Sequence, residues 1–162
     1  MQAPLPEDAL LARYAVDEGG AALPHYTDCF VADIPTAVDL AAFVYAFYTT
    51  PLFRSERFVL RLLGMRSSDS DIDALLAGQQ KHFAAWTLED RTDSQLLMCD
   101  VNARTRSWFR VVAEGSGTKL YFGSAVIADG ERLPASYRAL LGVHRLYSRH
   151  LLLAAVRRLK RR

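Results

Sequence analysis

The stretch Pro134–Arg162, PASYRALLGVHRLYSRHLLLAAVRRLKRR, predicts one long helix around which the rest of the chain is organised. Some 26 helical residues would reach about 39 Å, which exceeds the width of a small domain. Proline is tolerated in the first helical turn, where its missing N–H has no partner to lose. On a 3.6-residue wheel, one stripe of the helix holds Leu140, His144, Tyr147, Leu151 and Ala155, and a separate stripe holds Arg138, Arg145 and Arg149. Tyr137, Leu141 and Ser148 lie beside the first stripe.

The segment before residue 64 predicts one strand followed by two helices. His25–Ile34 has the pattern of a strand, and Pro35 ends it. A capping pair, Thr36 with Asp39, opens the first helix, which continues to about residue 48. A second helix begins at about residue 51 and ends at Gly64, and its predicted buried side chains are Phe58, Val59, Leu62 and Leu63. A short helix through Leu76 fits the polar segment that follows.

A meander of four strands is predicted next, because strand-like runs alternate with turn signals between residues 82 and 128. A two-residue hairpin loop at Gly115-Ser116 would pair Phe109 with Phe122. This register places the apolar side chains of the last two strands on one face. A slip of one residue would mix charged and aromatic side chains, so the register is well specified.

A second tight turn, Asn102-Ala103, would bring polar side chains to one end of the same face. In that register Asp100, Thr105, Ser107 and Ser124 lie beside the apolar set. The face that turns toward the long helix is therefore predicted to change from polar to apolar along its length.

The opposite face of the meander carries apolar side chains between arginines. Trp108 and Tyr121 alternate there with Arg106 and Arg110, and Trp86 is predicted to lie on the same side. Such a face is either covered by another part of the chain or meets a partner, and a homodimer is one such arrangement.

The predicted order of elements is that of the helix-grip fold: a strand, two helices, an antiparallel meander and a long C-terminal helix. From about residue 25 to residue 160 the chain resembles the START, polyketide-cyclase and Bet v 1-like superfamily in that order, although no signature motif is present. The superfamily usually has six strands after the two helices, against the four predicted in this chain. The resemblance implies an α+β fold in which an antiparallel sheet curls around the last helix and leaves a cavity that often takes an apolar ligand.

Size and composition indicate a single domain with a substantial core. The chain has 162 residues, of which 51% are apolar and 23% are charged. We divide it into an N-terminal extension, residues 1–24, and one domain, residues 25–162. The net charge of +2 is unevenly distributed, since residues 134–162 hold eight Lys and Arg and no Asp or Glu. This basic end either complements the helix dipole or contacts an anionic lipid or nucleic acid.

Several classes of function find no support in the sequence. The four histidines lie in different predicted elements without metal-ligand spacing, so neither a metal nor a cofactor is expected. The basic end lacks interleaved aromatic residues, which argues against nucleic acid. The longest apolar run near the end is far shorter than the ~20 residues that span a bilayer, and the first residues lack the features of a signal peptide. A cytoplasmic protein without stable membrane insertion is therefore expected.

Two residues are the strongest candidates for chemistry. His144 lies in the apolar stripe of the last helix, where it either contacts a ligand or acts as an acid or base, or is a core histidine bonded to Tyr147 or a strand hydroxyl. Asp100 is either a solvated residue at the cavity mouth or a buried acid.

The preferred hypothesis is the binding of a small, mostly apolar molecule between the last helix and the inner sheet face. Its polar contacts would come from His144, Tyr147, Ser107, Ser124 and Asp100. One alternative is an enzyme of the cyclase or dehydratase kind on the same scaffold, with His144 as acid or base and Asp100 or a tyrosine assisting. Another is an interaction module that applies the basic helix end to an acidic partner or a membrane surface.

Overall fold

The computed structural model describes residues 1–128, 130 and 135–161 of the chain, and for residues 135–138 the backbone alone. Pro134 and the side chains of Tyr137 and Arg138 therefore lie outside the described residues. In chain order the elements are β1 (Tyr26–Ile34), α1 (Leu40–Tyr48), α2 (Pro51–Leu62), α3 (Asp69–Leu76), β2 (His82–Phe83), β3 (Trp86–Arg91), β4 (Gln95–Asp100), β5 (Thr105–Glu114), β6 (Gly117–Val126) and α4 (Ala135–Leu159). A short 3-10 helix, Leu10–Tyr14, precedes them.

The strands form one antiparallel six-stranded sheet in the order β1-β6-β5-β4-β3-β2. The helices α1 and α4 pack together, and α4 also lies against β1. The predicted α+β class is confirmed, as is the antiparallel sheet packed against a long C-terminal helix. This element order is consistent with the helix-grip fold.

The predicted register of the meander is confirmed. Phe109 pairs with Phe122 across the β5–β6 hairpin. Between β4 and β5, Met98 lies opposite Ser107, as the turn at residues 102 and 103 requires. Because side chains alternate along a strand, this register puts Ser107 and Ser124 on the same face as the paired phenylalanines.

One strand was missed, since among the described residues five strands follow the helices instead of four. The extra strand is β2, and only two residues, Ala84 and Ala85, connect it to β3. Ala84 has a positive φ of 51°, a conformation for which glycine or asparagine is the usual signal. Because two alanines make this turn, the sequence carries no turn signal between the two strands.

The helix starts follow from local chemistry. Asp39, not Thr36, is the N-cap of α1, and its Oδ1 accepts a hydrogen bond of 2.7 Å from the Ala42 backbone N–H. The Thr50 hydroxyl caps α2 by accepting from the Phe53 backbone N–H, and Pro51 occupies the first helical position. Thr50 and Pro51 thus start α2 after a two-residue break from α1, and Phe53 in its first turn is buried.

The core between the sheet and the helices is an aromatic cluster. The ring of Phe47 on α1 lies 4.8 Å from that of Phe109 and 4.6 Å from that of Phe122. Tyr48 packs against Phe53 with ring centroids 4.8 Å apart. All five side chains are buried. This cluster joins α1 and α2 to the middle of the sheet.

The outer face of the sheet is covered by the N-terminal residues, which resolves the choice that the sequence left open for that face. Leu11 and Trp108 are fully buried there in a second apolar cluster with Cys29 and Leu97. The carboxylate of Asp8 holds the Arg110 guanidinium through two hydrogen bonds of 2.6 and 2.7 Å. The extension is therefore packed onto the domain.

The predicted buried face of α2 was wrong. Phe58, Val59, Leu62 and Leu63 are each more than half exposed. The helix instead turns Phe53, Glu56 and Arg57 toward the domain, where the Arg57 guanidinium lies 5.4 Å from the centre of the Phe83 ring and pairs with Asp69. Because these contacts fix the helix rotation, the side with more apolar residues faces outward.

The predicted stripe of α4 is correct only in part. Leu151 and Ala155 are buried, but Leu140 is 62% exposed, and so are most of the surfaces of Val143 and Leu146. The helix of 25 residues is about 38 Å long, so Leu140, Val143 and Leu146 in its first half carry their apolar side chains beyond the core. Among the described residues, no helix combines the length and apolar character that crossing a bilayer requires.

Candidate ligand-binding cavity

A cavity of about 200 Å³ lies between the inner sheet face and the helices α1, α2 and α4. Aromatic side chains supply much of its wall, from Phe47, Phe53, Trp86 and Phe122. Four of the five predicted site residues also line it, and these are Ser107, Ser124, His144 and Tyr147. The sheet and the last helix thus bring together side chains that are up to 40 residues apart in sequence.

Asp100 is the predicted site residue that lies apart from the lining of this cavity. Its Oδ1 accepts hydrogen bonds from the backbone N–H groups of Arg104, at 2.7 Å, and Thr105, at 2.8 Å. The carboxylate therefore stabilises the turn between β4 and β5, a role that Asp commonly has at turns.

The prediction for Trp86 was wrong, since it faces the cavity and the Phe53 ring lies 5.4 Å from it. A register shift between Leu88 and Asp90 in the pairing of β3 with β4 reverses the alternation between the two ends of β3. A bulge of this kind turns a side chain to the other face of a sheet, and the sequence carries no clear signal for it.

A buried carboxylate organises one side of the cavity. Asp28 on β1 is 5% exposed, and its Oδ1 accepts two hydrogen bonds from Ser124, of 3.0 Å from the backbone N–H and 2.6 Å from the hydroxyl. Its Oδ2 accepts from the Tyr26 hydroxyl at 3.0 Å. Three donors thus converge on one carboxylate, which meets the requirement that a buried acceptor be paired.

This arrangement fixes the direction of the next hydrogen bond. The Ser124 hydroxyl proton is given to Asp28, so Ser124 Oγ accepts from His144 Nε2, which lies 2.7 Å away. His144 therefore carries a proton on Nε2, and its Nδ1 is the ring nitrogen that can accept a proton or a hydrogen bond. This tautomer follows from the hydrogen-bond network.

The same direction argues against Ser124 as a nucleophile. In a nucleophile–base pair the serine gives its proton to the histidine, and the carboxylate orients the histidine from its other nitrogen. Here the carboxylate of Asp28 holds the serine proton instead. The chain of Asp28, Ser124 and His144 therefore orients the imidazole.

A second pair of polar groups, Glu56 and Tyr147, joins α2 to α4. The Tyr147 hydroxyl donates to Glu56 Oε2. Burial raises the pKa of Glu56, and the hydrogen bond from Tyr147 opposes that rise only in part. Burial, together with the bond to Glu56, raises the pKa of Tyr147, so its phenol stays protonated.

Glu56→Gln is expected to flatten the dependence of stability on pH. The raised pKa means that the folded state binds a proton more tightly than the unfolded state, so the stabilisation is complete below the ordinary value of 4.5 and is lost as pH rises through the folded pKa. A glutamine amide can still accept from Tyr147 without titrating. Urea denaturation at a series of pH values would check this. If the free energy of unfolding of Glu56→Gln changes with pH above 4.5 as steeply as that of the unmodified protein, the prediction is wrong.

Asp28 and Glu56 were missed by the sequence reasoning, for different reasons. Asp28 shares the inner side of β1 with Phe30 and Ile34, because all three are separated by even numbers of residues, so alternation alone could have indicated it. Glu56 lies one turn after Phe53 on a face of α2 that the apolar count assigned to solvent. Only the packing of Phe53 reveals that orientation.

Comparison with models of known protein families gives no match to this chain, and no curated protein matches it. Within the residues that the structure describes, no three His, Cys, Asp or Glu side chains form a group that could hold a metal ion.

Proposed function

We propose that the protein binds a small, mostly apolar molecule in the cavity between α4 and the inner face of the sheet. The observation that carries the proposal is a cavity of about 200 Å³ with an aromatic wall and a few fixed polar groups. Ligand sites typically have this composition, with apolar lining and polar groups that set orientation.

The size of the cavity limits the ligand. Pockets for drug-sized ligands have volumes of roughly 300–1,000 Å³, so this one suits a smaller molecule. If each non-hydrogen group takes roughly 20–30 Å³, near the volume of a water molecule in the liquid, the cavity holds about seven to ten of them. A single ring with a short substituent meets this limit.

Occupancy can be tested with α-methylstyrene, a small planar hydrocarbon of suitable size. We expect it to shift the NMR methyl signals of Leu151, which lines the cavity, and Ser107→Leu to abolish the shift because the added side chain fills the space. Ser70→Leu, exposed on α3, is the matched control and should bind as the unmodified protein does. Methyl shifts that are equal in the protein and in Ser107→Leu would overturn the proposal. Native mass spectrometry of protein from its own host would identify a retained molecule.

The orientation of His144 favours a second candidate function, an enzyme that moves a proton. Its Nδ1, the ring nitrogen without a proton in this tautomer, can take a proton from a carbon next to a carbonyl, while Ser124 and Asp28 hold the ring in place. The test is exchange of the methyl protons of acetophenone for deuterium in D₂O, followed by NMR. Exchange faster than in buffer, and lost in His144→Ala, would support it. Exchange at the buffer rate would contradict it.

A further inference from the structure

The hydroxyl of Tyr48 has no hydrogen-bond partner within the described part of the chain, although the residue is only 1% exposed. Tyr48 is among the residues that line the cavity. Leaving a buried donor unpaired costs about 1–3 kcal/mol. Native folds pair nearly all such groups, so an exception calls for an explanation.

The ring of Tyr48 is held too firmly for the hydroxyl to reach another partner by a small rotation. Its centroid lies 4.8 Å from those of Phe53 and Phe83, 5.5 Å from that of Phe109 and 5.7 Å from that of Phe47. These four rings come from four different elements, α1, α2, β2 and β5. The position of the hydroxyl is therefore fixed before any ligand arrives, as in a preorganised binding site.

The surroundings of the hydroxyl indicate which chemistry it suits. Burial raises the pKa of Tyr48, and the nearby charge of Glu56 raises it further, so the phenol is a hydrogen-bond donor and not an anion. Glu56 itself lines the cavity and uses Oε2 to accept from Tyr147. A neutral donor in an aromatic wall matches an uncharged oxygen acceptor, since a charged ligand would lose its hydration there.

We infer that the natural ligand is a small apolar molecule with an oxygen acceptor, a carbonyl or ether, which receives the hydrogen bond of Tyr48. The inference rests on the proposed function and adds the chemical class of the ligand. Tyr48 is then the residue that selects an oxygenated ligand over a hydrocarbon of the same shape, because the hydrocarbon leaves the donor unpaired.

The test compares acetophenone with α-methylstyrene, which have the same shape but differ in C=O against C=CH₂. Each is titrated by NMR into the unmodified protein and into Tyr48→Phe. We expect Tyr48→Phe to lower the affinity for acetophenone by about tenfold, near the upper end for one neutral hydrogen bond. The affinity for α-methylstyrene should stay the same or rise. Tyr45→Phe, on the same helix but outside the cavity lining, is the matched control and should change neither affinity.

The outcomes separate this inference from the proposed function. If both compounds bind and Tyr48→Phe changes their affinities equally or not at all, the inference is overturned, but the cavity remains a binding site. If neither compound binds, both are overturned. Because the substitution removes an unpaired buried hydroxyl, the melting temperature of Tyr48→Phe should be equal or higher, so loss of folding will not obscure the result.

Discussion

Asp28→Ala is expected to lower the free energy of unfolding by about 3 kcal/mol, because the donors that converge on this carboxylate lose their hydrogen-bond acceptor. These are the Tyr26 hydroxyl and both the backbone N–H and the hydroxyl of Ser124. With its proton released, Ser124 can turn it toward His144, which would then change tautomer. Urea denaturation measures the first effect, and the ¹⁵N shifts of the imidazole measure the second.

Ser124→Ala is the matched control for that substitution. It removes one hydroxyl but leaves the backbone N–H and Tyr26 on the carboxylate, so we expect a loss of about 1 kcal/mol. Equal losses in the two variants would show that the carboxylate does not organise the network. An unchanged His144 tautomer in Asp28→Ala would refute the assignment of hydrogen-bond direction.

Gly123→Ala is expected to destabilise the protein by about 3 kcal/mol, at the upper end of the usual cost of overpacking. A Cβ built on this glycine lies 2.8 Å from the backbone oxygen of Asp28, 2.9 Å from Leu11 Cδ2 and 3.0 Å from Trp108 Cε3. The first of these contacts is with the paired strand β1, so it can be relieved only by separating β1 from β6.

Gly142→Ala is the comparison variant, and we expect it to stabilise the protein. A Cβ at this exposed position in α4 meets no atom within 4 Å, and alanine favours the helix by about 1 kcal/mol relative to glycine. Melting temperatures of the two variants should therefore move in opposite directions. A Gly123→Ala protein as stable as the unmodified one would mean that β1 and Leu11 do not approach β6 as closely as described.

The register of the meander could be predicted because each slip has a large energetic cost. Phe109 and Phe122 must face inward together and Arg110 must not, which excludes a slip of one residue, and the two-residue turn fixes the pairing of β5 with β6. The same alternation predicts that Ser107 and Ser124 lie on the inner face, where they line the cavity. These predictions depend on the two-residue alternation of side chains along a strand, which can be read from the local sequence.

The rotation of α2 and the face of Trp86 could not be predicted in the same way. For α2, the single deep contact of Phe53 and the contacts of Arg57 with Phe83 and Asp69 outweigh four apolar side chains. For Trp86, a bulge shifts the alternation within β3. Both outcomes depend on tertiary contacts that no window of sequence contains. The roles of the five predicted site residues, the interaction-module alternative and the homodimer stay predictions.

The edges of the sheet have a consequence for how copies of this protein can associate. Residues 1–3 run along the outer side of β1, where the Ala3 N–H donates to the Cys29 oxygen at 3.0 Å and the Val31 N–H donates to the Met1 oxygen at 2.8 Å. At the other edge, β2 is only two residues long. Covered or very short edges give little template for strand addition, which is how natural sheets avoid fibre-like growth. Self-association would therefore have to use side-chain surfaces such as the exposed apolar residues of α2 and α4, and would form without extending the sheet.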